Sequence, residues 1–286
     1  MQVSCHKPVL LSEVIESFSS IEGGRFLDCT FGGGGHTRAI LEAHPGNTIV
    51  ALDRNQKVKA IADLLEEEFG ERFRFVNMPF SKIQSLSKYG PFNGILADFG
   101  LSSDQLDDNS GFSFKDEMLD MRMDQSCGVT AEEIINSLSE HELRNIFKRG
   151  GATKATGVVV KNIIKKRPVS SASVLANAIL EVYPQKLIKP GRHPATVFFQ
   201  ALRMEVNSEI SEIKEFLDAS ISILSESGIL SVISFHSLED KLVAKKFRQW
   251  STGNLLTKKA ITPNAKEIND NPRSRSALLR IFKKSS

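Results

Sequence analysis

The amino-acid sequence predicts an α/β protein, a Rossmann-like doubly wound sheet interrupted by an all-helical insertion. Three observations predict it. An apolar strand pattern, Phe26-Leu27-Asp28-Cys29, runs through Thr30-Phe31 into four glycines, Gly32 to Gly35, before a helical pattern opens at His36. Strand and helix patterns alternate over the first hundred residues, which is the signature of a parallel sheet with helices on both faces. From about Leu106 to Ser225 strand character disappears, and it returns at 228–235.

Each element has a local reason. Strands are expected at 25–29, 48–52, 73–77 and 94–99, where β-branched and aromatic residues cluster. Helices are expected at 10–18, 36–44 and 55–69, where apolar residues recur at helical spacing. Within the insertion, Thr130 with Glu133 and Ser139 with Glu142 have the spacing of capping boxes. Pro194, in a first-turn position, opens one long helical pattern through Ala201, Leu202, Val206, Ile210 and Ile213. A helix over 238–250 and a strand over 277–282 complete the chain, with Ser237 reading as the cap of that helix and Asp240 at its third position. The expected organisation is a sheet domain at 1–105 and 216–286 around a helical domain at 106–215.

A hydrophobic content of 41% and a charged content of 25% describe an ordinary globular protein. Cys5, Cys29 and Cys127 are odd in number and widely spaced, which argues against a disulfide framework or a zinc site. Neither a signal peptide nor a membrane-length apolar run is evident. The expectation is a cytoplasmic protein with no metal. The net charge is only +3, but residues 148–192 hold ten Lys or Arg against Glu181 alone, and residues 241–286 hold twelve against Glu267 and Asp270. Basic segments of that size attract polyanions, and two of them in one chain favour a nucleic-acid partner.

The glycines allow a backbone to turn tightly and approach a ligand, and Asp53 ends the second strand about 20 residues on, where a ribose diol is usually clasped. An adenosine-containing cofactor is therefore expected. Its kind follows from spacing. A dinucleotide fingerprint needs a third small residue, and Thr37 or Arg38 stands there instead. No phosphate-cradling G-x-x-x-x-G-K-[ST] exists. Asp28 would repel a pyrophosphate but suits the cationic amino-acid tail of S-adenosyl-L-methionine. At the end of the fourth strand stands Asp98-Phe99-Gly100-Leu101. The lone pair of an exocyclic base amine is drawn into its ring, so it gains from acceptors that orient its hydrogens. Asp98 could supply one, or could hold the cofactor's ammonium. Of His6, His36, His193 and His236, only His36 closes the glycine loop. Phe235-His236-Ser237 with Asp240 resembles a hydrolase fragment, but there is no G-x-S-x-G elbow to expose a nucleophile.

Long motifs then recur in a familiar order. They are His6-Lys7-Pro8-Val9-Leu10-Leu11, Thr30 through His36, Asp98 through Ser102-Ser103 and Gln105-Leu106-Asp107-Asp108, and Gly111-Phe112-Ser113-Phe114. Next come Leu119 through Asp124, His193-Pro194-Ala195-Thr196, Ser234 through Asp240, and Asn271 through Ser276. On these the chain resembles the ribosomal RNA small-subunit methyltransferase H (MraW) family over nearly its whole length. The resemblance implies a class I methyltransferase sheet with the inserted helical domain at 106–215 recognising the substrate, and S-adenosyl-L-methionine-dependent N4-methylation of a cytosine in 16S rRNA, at the decoding centre of the 30S subunit. It implies that Gly34, Gly35 and His36 contact the methionine part of the cofactor, that Asp53 holds the ribose, that Phe80 flanks the adenine, and that Asp98 and Gln105 complete the site. Lys161, Lys165, Lys166, Arg167, Arg192, Arg273 and Arg275 then become candidates for the RNA-facing surface.

Departures from the family pattern fall elsewhere. Asn55-Gln56 follows Asp53-Arg54 where Asp-Pro is usual, Gly151-Ala152 stands for an acidic pair, Val197-Phe198 for Arg-Thr, and Ser110 for Arg. They leave open reduced activity or an altered substrate. Two other readings remain beside the rRNA enzyme, a DNA amino-methyltransferase and a cofactor-binding ribosome assembly factor with little turnover. The DNA enzymes usually carry Pro-Pro-aromatic after the acid, where this chain has Phe99-Gly100-Leu101.

Overall fold

The computed structural model describes residues 7–100, 109–126 and 128–286. Seven strands, β1 (Arg25–Asp28), β2 (Thr48–Asp53), β3 (Phe73–Asn77), β4 (Phe92–Asp98), β5 (Leu224–Ser234), β6 (Gly253–Leu255) and β7 (Leu278–Lys284), form one sheet in the order β3-β2-β1-β4-β5-β7-β6. The first five run parallel, and β7 is antiparallel to both β5 and β6. This is the class I methyltransferase sheet that the motifs implied. The helices are α1 (Leu11–Ser17), α2 (Gly35–Ala43), α3 (Lys59–Phe69), α4 (Ala131–Ser137), α5 (Glu140–Arg149), α6 (Thr156–Lys165), α7 (Ala172–Val182), α8 (Thr196–Val206), α9 (Glu209–Ile223), α10 (Ser237–Gln249) and α11 (Ala265–Asp270). None of the described helices is long and apolar enough to cross a membrane.

The chain divides into two compact units, one of residues through Gly100 with Ser211–Ser286 and the other of the residues between, up to Ile210. In the sheet unit, successive strand residues face opposite sides, and parity sorts them into two layers. Phe26, Ile49, Ala51, Leu96 and Ile229 pack with Val14, Ile40, Leu41 and Leu65 of α1–α3. Leu27, Val50, Leu52, Ile95 and Leu230 pack with Phe216 and Leu217 of α9 and with Val243 and Phe247 of α10. Strands covered on both faces are apolar almost throughout, which is why Ile95-Leu96-Ala97 is a continuous run. The helical unit has its own core, centred on Ile135, Phe147, Val160, Leu175 and Phe198. Both expected capping boxes form, Thr130 with Glu133 and Ser139 with Glu142.

Three expectations are corrected. The single helix from Pro194 is two helices, because Ser208 takes a left-handed φ of 51° between α8 and α9. Asn207 replaces the interrupted ladder, its amide donating to the Arg203 and Met121 carbonyls at 2.9 and 2.8 Å. The cap of α10 is His236 rather than Ser237, since Glu239 sits three residues on and accepts from the His236 backbone N–H at 3.1 Å. Asp240 instead takes the Arg280 guanidinium at 2.6 and 3.0 Å. The strand β6 was not expected, being three residues long at the sheet's edge.

Two of the departures in the helical unit are core residues. Ala152 is buried, and Phe198 stands edge-on to Phe147 at 5.1 Å. A carboxylate at 152 would be buried in that apolar core. Gly151 is exposed and takes a left-handed φ of 97°, which favours glycine.

Candidate functional site

The order of strands reverses between β1 and β4, and ligands of open α/β sheets bind beyond the carboxyl ends of strands at such a switch point. The two strand ends are tied there by Thr30, whose hydroxyl oxygen accepts from the Asp98 backbone N–H at 2.7 Å. The glycine loop leaves β1 and folds back on Phe31, whose carbonyl takes the Gly34 N–H at 2.8 Å. Gly34 has φ 73° as the N-terminal cap of α2, a conformation side chains disfavour. At Gly35 a Cβ would fall 2.3 Å from the Pro8 ring. These two glycines therefore turn their Cβ sides to the protein's own rings, and it is the Gly35 backbone N–H, at the start of α2, that is offered to an anion.

Three carboxylates line this edge. Asp28 is fully enclosed, accepting from Thr30 N–H at 3.1 Å and from the Thr37 hydroxyl at 2.7 Å. Both of its oxygens are thus engaged in fastening the loop to α2, which corrects the expectation that it meets the cofactor's cationic tail. Burial pushes its pKa up to about 6, against the two hydrogen bonds and with help from the Asp53 charge. Asp53, at the tip of β2, accepts from Gly32 N–H at 2.9 Å and Asn55 N–H at 2.8 Å. Burial raises its pKa as well. Asp98, half-buried at the end of β4, accepts from Gly100 N–H at 2.8 Å. Its pKa is pushed up to about 6, first by desolvation, then moderated by His36 and Gly100 and raised further by Asp28 and Glu239. Carboxylates held above their usual range by burial and mutual repulsion are relieved by a cation and opposed by a phosphate.

The other candidates are placed as follows. His36 lies in the first turn of α2, buried, with Nε2 donating to the Val9 carbonyl at 3.0 Å. Phe80, half-buried just beyond β3, is 5.6 Å from Phe99 and 5.7 Å from Phe216. Gln105 lies outside the described residues. Lys161, Lys165 and Arg192 are exposed in the helical unit, as are Arg273 and Arg275 in the sheet unit. Lys166 pairs with Glu181 at 2.9 Å. Arg167 differs from the expectation: its guanidinium donates to the Ile135 and Leu138 carbonyls at 2.7 and 2.5 Å, so it closes the C-terminal end of α4 instead of facing solvent. His193 stacks on Phe114 at 4.4 Å within the helical unit.

Sequence reasoning missed Thr30, Thr37 and Glu239. Thr30 opens the glycine motif and Thr37 follows it, and attention to the glycines passed over both. Glu239, 1% exposed, accepts from the Phe235 and His236 N–H groups, and the three-residue spacing from His236 was the signal that could have found it.

S-adenosyl-L-methionine fits this donor set: a helix N-terminus for its carboxylate, acids for its ammonium, sulfonium and ribose, and an aromatic ring for its adenine. The MraW methylase family matches residues 3–285. Proteins named ribosomal RNA small subunit methyltransferase H are similar over most of the chain. That of Cyanothece sp. is 44% identical over 278 residues, 96% of this chain and 93% of that protein. That of Rippkaea orientalis is 43% identical over 279 residues, 96% and 91% of the two chains. That of Nitratiruptor sp. is 38% identical over 298 residues, 97% of each.

Proposed function

The chain belongs to the MraW methylase family, and on that premise we propose that it transfers a methyl group from S-adenosyl-L-methionine to N4 of one cytosine in 16S rRNA. The substrate in this reading is the 30S subunit at its decoding centre, in the cytoplasm. The observation that carries it is the edge formed by Asp53, the glycine loop and Asp98, whose charge suits a sulfonium cofactor and opposes a dinucleotide. Small-subunit rRNA as acceptor comes from the relatives' name, and the exposed lysines and arginines support it.

When bound, the cofactor would supply an electrophilic methyl carbon to the amine nitrogen, the C–S bonding pair staying on sulfur as the N–C bond formed and the displaced N–H proton passing to solvent water. Asp53 receives the ribose hydroxyls, in the pocket flanked by Phe80. Asp98 receives the ammonium, and Gln105 is assigned to the same site. The first-turn N–H groups of α2 face the carboxylate, and burial of the edge excludes water from the charged contacts. The helical unit presents Lys161, Lys165 and Arg192 to RNA, and the sheet unit Arg273 and Arg275.

The test is methyl transfer from labelled S-adenosyl-L-methionine to undermethylated 30S subunits, naked 16S rRNA and DNA, with mass mapping of the product. N4-methylcytosine at one position in 30S subunits is the expected result. Methylation of DNA alone, or cofactor binding without transfer to any of the three, overturns it. Asp98→Asn is expected to weaken cofactor binding at least 10-fold by calorimetry, the size of about one charged hydrogen bond.

A further inference from the structure

We infer that Phe235 is the platform on which the target base stacks. The inference rests on the methyltransferase reading above and adds the acceptor side of its site. Along the strand order, Phe80 lies beyond β3, Asp53 on β2, the glycine loop on β1 and Asp98 on β4. These occupy the edge from one side up to β4. The acceptor must come to the methyl from the side the cofactor leaves open, which is the end of β5.

The aromatic that follows Asp98 in sequence is not available there. Phe99 is 8% exposed and faces Phe80 and Phe216 at 5.6 and 6.0 Å, within the layer under α9. The ring beside Asp98 is that of Phe235, the first residue after β5. A Cβ at Gly100 would stand 2.8 Å from that ring and 3.0 Å from the Asp98 carboxylate. Gly100, having no Cβ, thus leaves room for the tip of the Phe235 ring beside the acid. Phe235 is half-buried, its inner side packed on the layer that holds Ile233 and Ala277. Its backbone is held in turn by Glu239, which accepts from the Phe235 N–H at 2.8 Å. An aromatic ring fixed at its base and only partly buried suits the π-face of a base, and stacking of that kind tolerates any base while favouring one held out of its helix.

Phe235→Leu keeps the apolar bulk and removes the π-face, whereas Phe235→Tyr keeps the face. The expected result is a loss of about 5- to 150-fold in kcat/KM on undermethylated 30S subunits for Phe235→Leu, one aromatic–base contact's worth. Near-wild-type transfer is expected for Phe235→Tyr, with cofactor affinity unchanged in both. Wild-type transfer by Phe235→Leu, or a matching loss of cofactor affinity, overturns the inference. A second arm is independent of turnover: saturation-transfer NMR of cytidine with protein loaded with S-adenosylhomocysteine. Signal in the wild type that Phe235→Leu abolishes supports the platform even if the wild type methylates no rRNA, a result that would sink the rRNA reading alone. Equal cytidine signal in both proteins, or none in the wild type, overturns the platform.

Discussion

The carboxyl edge of the sheet and the outer faces of the helical unit carry opposite charge, and they hold it by different means. At the edge, Asp28, Asp53 and Asp98 are gripped by the backbone N–H groups of Thr30, Gly32, Asn55 and Gly100. In the helical unit, Lys161 and Lys165 extend from α6 into solvent, and Lys166 meets another exposed side chain, Glu181. A charge gripped by backbone has a position set by the fold, paid for in desolvation. A charge on a solvated side chain supplies field but little geometry. The first arrangement can orient one small molecule; the second suits a large polyanion whose phosphates are many and interchangeable.

The sharpest break in that comparison is between the cores beneath the two regions, which share no residue. Phe198→Ala removes a fully buried ring that stands against Phe147 and Tyr183. It is expected to cost about 3–5 kcal/mol and to bring the melting of the helical unit well below that of the sheet unit in calorimetry of the cofactor-free protein. One unsplit transition shifted as a whole would mean that the two cores melt as one.

What the sequence disclosed follows the same division. The first four strands, the glycine loop and the two capping boxes were legible because each is a local pattern with a backbone cause. Asp53 and Asp98 were legible because a strand end fixes where a residue goes. Arg167 was counted with Lys165 and Lys166 as basic surface, because nothing local distinguishes a guanidinium in solvent from one that closes a helix across 32 residues of chain. The break at Ser208 was hidden because apolar spacing continues through it, and Asn207 makes it possible by a bond to Met121, 86 residues away. The missing acids at 151 and 152 read as a lost function, whereas Ala152 belongs to the helical unit's core and Gly151 takes a left-handed φ of 97°.

The next largest effect sharpens the account of the edge. The Asp28 pKa lies at about 6 in the folded protein against an ordinary 3.8, so the native state binds a proton more tightly than the unfolded one. The charged form therefore costs stability above pH 6, and that cost is relieved as the pH falls from 6 towards 4. Asp28→Asn keeps a carbonyl for Thr30 N–H and removes the charge. It is expected to stabilise the cofactor-free protein by about 1–3 kcal/mol at pH 8, read as a higher Tm, with the gap to wild type closing by about pH 4. A variant less stable than wild type at pH 8 would mean that the Thr37 contact outweighs the buried charge.

The smallest effects test the helical unit's side. Arg167→Ala strips the charged donors from the Ile135 and Leu138 carbonyls, and is expected to lower stability by about 1–3 kcal/mol while leaving the salt dependence of RNA binding as it was. Lys161→Ala should do the reverse. Its side chain is exposed on α6, so the change in stability should stay within about 0.5 kcal/mol. If Lys161 neutralises one phosphate, the slope of log affinity against log salt becomes shallower by about 0.7. Measuring RNA affinity at several salt concentrations for both variants separates a positioned charge from a solvated one. A slope lost in Arg167→Ala and kept in Lys161→Ala would exchange their roles, and with them the division between charge held by backbone and charge offered to solvent.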